Sequence, residues 1–338
     1  AFFTNMGERF GFYTMMAILV LFLQARYGLS EAEAGGYYSW FYFSIYALAL
    51  VGGLLADWSK KYKMIILVGQ VIMFVGYALI AMPGISLGLA LTGLFTIALG
   101  NGLFKGNLQA VVGQLYDDEK YGKLRDSAFM VFYMGINVGA FFAPFVATGI
   151  RNWWLKTNGF LHDGSLPALC HQFKNGTLSD TTQLSDMASR ADINGTYAGN
   201  LAGFVNDYLN VFATGYNYAF GIAAGAMIVS LLVYVIFNKS LPNKEKAEVK
   251  GVAEQKISGG MPLVIGLILM GLSSLLFHYL MDDYKLGLAV GLFLGFSAWI
   301  LLSSSKEENP RVVSLILVFV VVIFFWMSFH QNGLTLTF

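Results

Sequence analysis

Nine stretches of about twenty mostly apolar residues, parted by short polar breaks, restrict this chain more than any other feature of its sequence. At a rise of about 1.5 Å per residue, some 20 helical residues cross a hydrocarbon layer roughly 30 Å thick, and helices of soluble cores seldom run so long. The stretches lie near residues 1–24, 35–56, 64–83, 88–115, 128–150, 217–237, 262–281, 286–304 and 312–335. Composition agrees, for 57% of the residues are hydrophobic and 12% charged, against about a quarter charged in soluble domains. The expectation is an all-α polytopic membrane protein with the lipid bilayer as its main solvent.

The formal net charge of +1 gives no global field to gather nucleic acid, so none is expected as a partner. The single Cys170 has no disulfide partner, and no His or Cys cluster has metal-ligand spacing. With no nucleophile beside a base and no cofactor loop, an enzyme is the weakest functional class, and no metal or cofactor is expected. The first apolar stretch carries Glu8 and Arg9, unlike a cleavable signal peptide. A chain opening on Ala1 and closing on apolar Thr335–Phe338 reads as a piece of a longer protein.

Lysine and arginine resist translocation, so they orient the spans. Loops 57–63, 117–126, 238–261 and 305–311 hold Lys60, Lys61, Lys63, Lys120, Lys123, Arg125, Lys239, Lys244, Lys246, Lys250, Lys256, Lys306 and Arg311, whereas the opposite short loops hold only Arg26 and Lys285. The bias predicts a cytoplasmic N-terminus in a plasma membrane. The resulting division is spans one to five over 1–150, a polar outer lobe over 151–216, span six over 217–237, a cytoplasmic linker over 238–261, a hairpin over 262–304, and a last span over 312–338. Trp153, Trp154, Phe173, Phe204 and Tyr208 predict a small, partly helical lobe rather than a disordered one.

Charge inside a span costs roughly 2.5–3.5 kcal/mol per residue on insertion scales, so the few that persist face a bundle interior or a wet path. Glu8, Arg9, Lys105 and His330 lie well inside spans, and His278 lies nearer an end. Adjacent Glu8 and Arg9 fit either a structural ion pair or a snorkelling terminal charge. In the fourth span Asn101, Lys105 and Gln109 recur every four residues and share a helix face. Lys105 needs a carboxylate there, and Glu8 is the one well inside any span, so the two are expected to pair. Gly100, Gly102 and Gly106, and Gly135 with Gly139, predict close helix contacts. Tyr38, Tyr42 and Tyr46 stripe the second span, and Asn137 brings an amide that needs partners into the fifth.

Five segments together carry a family resemblance: ERFGFY at 8–13, GGLLAD at 52–57, GNGLFKGN at 100–107, FYMGINVG at 132–139 and FWMSFHQ at 325–331. In order and spacing they resemble the proton-dependent oligopeptide transporter (POT) family of the major facilitator superfamily, in its prokaryotic form with an extra helical hairpin. The resemblance implies an N-terminal six-helix bundle, the inserted hairpin and the first helix of a second bundle. The remainder of that second bundle is then a partner this chain lacks, and the chain alone should not transport.

By the same resemblance the complete protein is a proton-coupled symporter of di- and tripeptides or peptide-like solutes, working by alternating access in a bacterial inner membrane. Glu8, Arg9, Lys105 and His330 fall where proton coupling is expected, with the proton gradient as energy source and no cofactor. Arg9, Tyr13, Tyr46, Lys105, Asn137, Trp326 and His330 fall where substrate binding is expected. Asn5 replaces an acid of the family motif and Gly106 its usual proline, while Met16 and His330 replace a cross-bundle arginine and acid. Those departures leave a small anion such as nitrate as an alternative substrate, and a non-transporting membrane receptor as an alternative function.

Overall fold

The computed structural model describes residues 1–117, 119–241 and 260–330. Regular structure among them is helical, apart from an isolated bridge between Phe160 and Asp192. The described residues fall into two compact units, the first within 1–241 and the second within 260–330. Among the described residues, eight helices are long and apolar enough to cross a membrane, and nine spans result when one bent pair is taken as a single crossing.

That pair is α1 (Phe2–Met16) with α2 (Leu19–Tyr27), which meet at 42°. No glycine or proline marks the break. The hydrogen-bond ladder tightens there instead, with Ile18 N–H donating to the Met15 carbonyl at 3.1 Å, three residues back. Gly28, at φ +67°, ends α2 in the left-handed region, and Ser30 with Glu33 opens α3 (Glu31–Ser59) by a capping box. After α3 come α4 (Tyr62–Ile80), α5 (Leu87–Gln114), the short α6 (Glu119–Gly122) and α7 (Arg125–Thr157). Helices α8 (Leu166–Lys174) and α9 (Thr182–Ala191) precede α10 (Leu201–Phe237).

Small residues let these helices touch. A Cβ on Gly52 of α3 would run into the Gly102 carbonyl of α5, and one on Gly100 would lie 2.5 Å from the Gly69 carbonyl of α4. Gly135 and Gly139 of α7 pack on Phe2, Met6 and Phe10 of α1. The expectation for Gly106 is corrected: nothing lies within 4 Å of a Cβ built there, so it is not a contact glycine. Helix α10 closes the bundle against α1, α4 and α7. Its buried Asn217 donates to the Ile80 carbonyl at 2.8 Å and so satisfies the end of α4, while the Tyr234 hydroxyl donates to the Lys63 carbonyl at 2.9 Å.

Helix α10 also begins sixteen residues before its predicted span. Phe204, Val205, Tyr208, Leu209 and Phe212 continue one apolar face outward, and that face is buried by the lobe. Phe204 and Tyr208 stack at 5.1 Å, with Phe160 edge-on to both. Trp153 is exposed and Phe173 half-buried. His171 of α8 ties the lobe to the membrane bundle through its Nε2, 2.9 Å from the Ala25 carbonyl.

The second unit holds α11 (Gly260–Met281) and α12 (Tyr284–Ser303), packed as a hairpin, and α13 (Asn309–His330). Gly266 and Gly295 meet backbone to backbone in the hairpin, where a Cβ on either would come within 2.7 Å of the other's carbonyl oxygen. Most of the predicted linker, 242–259, and the end of the predicted final span, 331–338, lie outside the described residues.

Candidate functional site

Charge in the interior of the first unit centres on α1. Glu8 is 1% and Arg9 5% exposed, and Arg9 donates to the carboxylate twice, from Nε to Oε2 at 2.5 Å and from Nη2 to Oε1 at 2.6 Å. Of the two readings of this pair, a snorkelling terminal charge is excluded and an ion pair is observed. Phe12, one turn on, sits under the guanidinium at 4.8 Å, and Tyr13 stands edge-on to Phe12 at 5.5 Å. From α5, Asn101 Nδ2 donates to Glu8 Oε1 at 2.8 Å. Three donated hydrogen bonds offset the desolvation of one buried carboxylate.

The expected Glu8–Lys105 pair is therefore corrected, because Arg9 and Asn101 occupy the carboxylate. Lys105 instead sets Nζ 5.2 Å from the ring of Tyr46, and no described carboxylate lies within ion-pair distance of it. It still feels the fields of both Arg9 and Glu8, and so belongs to one electrostatic cluster with them. The tyrosines of α3 lead toward this lysine, with ring centroids 5.7 Å apart for both Tyr38–Tyr42 and Tyr42–Tyr46. Tyr38 is buried and Tyr46 half exposed.

The remaining candidates are more scattered. Asn5, which replaces an acid of the family motif, is buried and donates to the Phe132 carbonyl at 3.3 Å, joining α1 to α7. A carboxylate has no hydrogen to give that carbonyl, so the amide suits the site it occupies. Asn137 is exposed on α7, beyond Tyr133, which stacks on Phe129 at 6.3 Å. Trp326 lies on α13 of the second unit, edge-on to Phe325. His330 closes that helix, and its side chain lies outside the described residues.

Reading the sequence missed a second ring of polar groups around Glu8. Gln70 of α4 is fully buried and donates to the Ser230 hydroxyl at 2.8 Å, which donates in turn to the Thr4 carbonyl at 2.7 Å. Tyr77, two turns along α4, is also fully buried and feels both Glu8 and Arg9. Gln70 could have been found, for an amide in the middle of an apolar span needs a partner. A tyrosine among many aromatics gives no such signal.

Comparison with known proteins accords with this geometry. The family model described as the POT family matches residues 63–338. The dipeptide and tripeptide permease A of Citrobacter koseri is 29% identical over 285 residues, which cover 82% of this chain and 52% of the relative. That of Cronobacter turicensis is 39% identical over 139 residues, covering 41% of this chain and 28% of the relative. The chain thus spans at most about half the length of these curated relatives. A solved bacterial homologue of human drug peptide transporters superposes with a TM-score of 0.60 at 24% identity, covering 99% of this chain and 60% of that one. A POT family transporter solved with 5-aminolevulinic acid gives a TM-score of 0.61 at 22% identity, covering 98% and 59%. Spans on major facilitator lines, a family model matched over most of the chain and a charged cluster on the motif residues lead to one conclusion: this chain is a multi-pass membrane protein and belongs to the POT family.

Proposed function

We propose that the protein containing this chain is a proton-coupled symporter of di- and tripeptides or peptide-like solutes, working by alternating access, and not an enzyme. The observation that carries the reading is the unequal treatment of two cations, Arg9 buried and Lys105 half-buried, beside one acid. Arg9 is held by Glu8 in two hydrogen bonds, whereas Lys105 has no carboxylate among the described residues.

A substrate carboxylate is the missing counterion for Lys105. When a proton neutralises Glu8, the carboxylate's hold on Arg9 weakens, and the guanidinium is released to share the substrate's charge. Proton and substrate are thereby linked through local charge alone, with the proton gradient as energy source and no cofactor. Tyr13, Tyr46 and Asn137 offer hydroxyls and an amide to a peptide backbone, and Trp326 and His330 contribute from the second bundle. The names of the relatives, dipeptide and tripeptide permeases, support this substrate class. The lysine bias of the loops supports a cytoplasmic N-terminus in a bacterial inner membrane.

The test is uptake of a labelled dipeptide, driven by a pH gradient, into liposomes holding the full-length protein. Lys105→Ala is expected to lower uptake at least about tenfold, since a hydrogen bond to a charged group is worth about 1.5–3 kcal/mol. Uptake unchanged by that substitution contradicts the role given to Lys105. The same uncompensated lysine favours a second reading, transport of a small anion, which predicts that nitrate competes with the dipeptide and is itself accumulated.

A further inference from the structure

Asn101 meets Glu8 with only half of its amide. Its Nδ2 donates to the carboxylate at 2.8 Å, while its Oδ1, on a residue 1% exposed, makes no hydrogen bond among the described residues. A buried carbonyl left without a donor is costly and calls for a reason. The ring around it shows the same surplus. Gln70 Oε1 and Tyr77 Oη flank Met73 on one face of α4, both buried and both without a hydrogen bond among the described residues, and Met73 Sδ is 4.0 Å from Asn101 Nδ2. Thr4 Oγ1, one turn before Glu8, is in the same condition. These buried side chains together hold more hydrogen-bonding capacity than an ionised Glu8 uses.

A protonated carboxyl has the opposite need, for it gains an O–H that seeks an acceptor. An asparagine side chain supplies either partner, because rotation about its terminal two-fold torsion exchanges N–H for C=O at one place. We propose that Asn101 is a positioning residue that holds Glu8 in both of its protonation states, turning its amide over when the carboxyl takes or releases a proton. The proton comes from solvent and returns to it, and Asn101 neither gains nor loses one. This rests on the symporter reading, to which it adds a part with two stable settings.

The charged and titratable groups in reach of Glu8 bound the effect. They are Arg9 and Tyr13 on α1, Tyr77 on α4 and Lys105 on α5, while the tyrosine stripe of α3 lies on the side of Arg9. Helices α7 and α10 carry their charges near their ends, at Arg125, Asp126, Arg151, Lys156 and Asp207. None of these neighbours offers both a donor and an acceptor from a single planar group in contact with the carboxylate.

The experiment compares the full-length wild type with Asn101→Leu and Asn101→Thr in liposomes. Leucine keeps the amide's shape without its hydrogen bonds, whereas a threonine hydroxyl both donates and accepts. In Asn101→Leu the midpoint of the pH profile of dipeptide uptake is expected to rise by about one unit, because the charged carboxylate loses a donor. In Asn101→Thr it should return most of the way. The infrared band of the protonated carboxyl, assigned by its loss in Glu8→Gln, should move to higher wavenumber in the leucine variant, since its O–H has lost an acceptor.

A leucine variant with the wild-type profile and the wild-type band overturns the proposal, and Asn101→Ala serves if leucine prevents assembly. A wild type without pH-dependent uptake would instead defeat the symporter reading. The infrared band would still decide the case of Asn101.

Discussion

Glu8 and Arg9 are neighbours in sequence, and neighbours on a helix ordinarily point apart. Here the arginine folds back so that both of its nitrogens reach one carboxylate, a geometry favoured when no water competes for either charge. Two consequences follow. Arg9→Ala leaves an uncompensated buried carboxylate and is expected to cost about 3–5 kcal/mol, read as a lower thermal midpoint in detergent. Glu8→Gln keeps the shape and removes the charge, so it should abolish net uptake driven by a pH gradient while sparing exchange of internal for external dipeptide. Gradient-driven uptake that survives Glu8→Gln would remove Glu8 from the coupling. That these side chains face the bundle interior was legible in the sequence, because stranded charge in an apolar span has few explanations. Whom they contact was not, since an inventory of acids and bases led Glu8 to Lys105 and left neutral Asn101 without a role.

Helices were the most legible level, for each apolar run is helical over its described residues, the first as the bent pair α1 and α2, but two further kinds of detail escaped. The start of α10 was hidden because its outer turns bury their apolar face against protein rather than lipid, and polar Asn206, Asp207 and Asn210 interrupt the run. Glycines were read alike though they differ. Gly102→Ala would drive a Cβ into the Leu48 carbonyl group, 2.6 Å away, and force α3 and α5 apart, a cost of about 1–3 kcal/mol for overpacking. Gly106→Ala meets nothing and gains roughly 0.8–1.0 kcal/mol of helix propensity, so thermal unfolding should move in opposite directions for the two. The lobe has its own pH dependence. His162 stacks on Phe212, and burial with the nearby Arg151 charge pushes it down to about 4. Unfolded, it would protonate near 6.5, so the unfolded lobe binds more protons between those values. The stabilisation is complete above about pH 6.5 and is lost as pH falls towards 4. The protection of amides in α8 and α9 from hydrogen exchange, taken relative to the intrinsic rate at each pH, should therefore fall between pH 7 and pH 5, and His162→Phe should flatten that response.

For the molecule as a whole, the proposed orientation rests on charges at the ends of the spans rather than on the cluster around Glu8. Lys120, Lys123 and Arg125 lie at one end of α7, and the lobe from Asn158 to Asn200 begins at the other, so a single crossing separates them. Arg151 and Lys156 stand near the lobe end, yet Arg151 is buried against Asn152 and Tyr216, with Nη1 3.3 Å from the tyrosine hydroxyl, and presents little charge to the membrane surface. Exposed positive charge is thus concentrated at the α6 end, which the proposed orientation places in the cytoplasm. Two exposed sites make this measurable in the full-length protein once the buried Cys170 and any cysteine outside this chain are replaced by alanine. Gln183→Cys in the lobe should react with a membrane-impermeant maleimide in intact cells, and Lys123→Cys should react only after the membrane is opened. The reverse pattern would invert the protein in its bilayer and, with it, the side from which Glu8 is first protonated, whereas equal labelling of both sites in intact cells would mean that α7 does not cross.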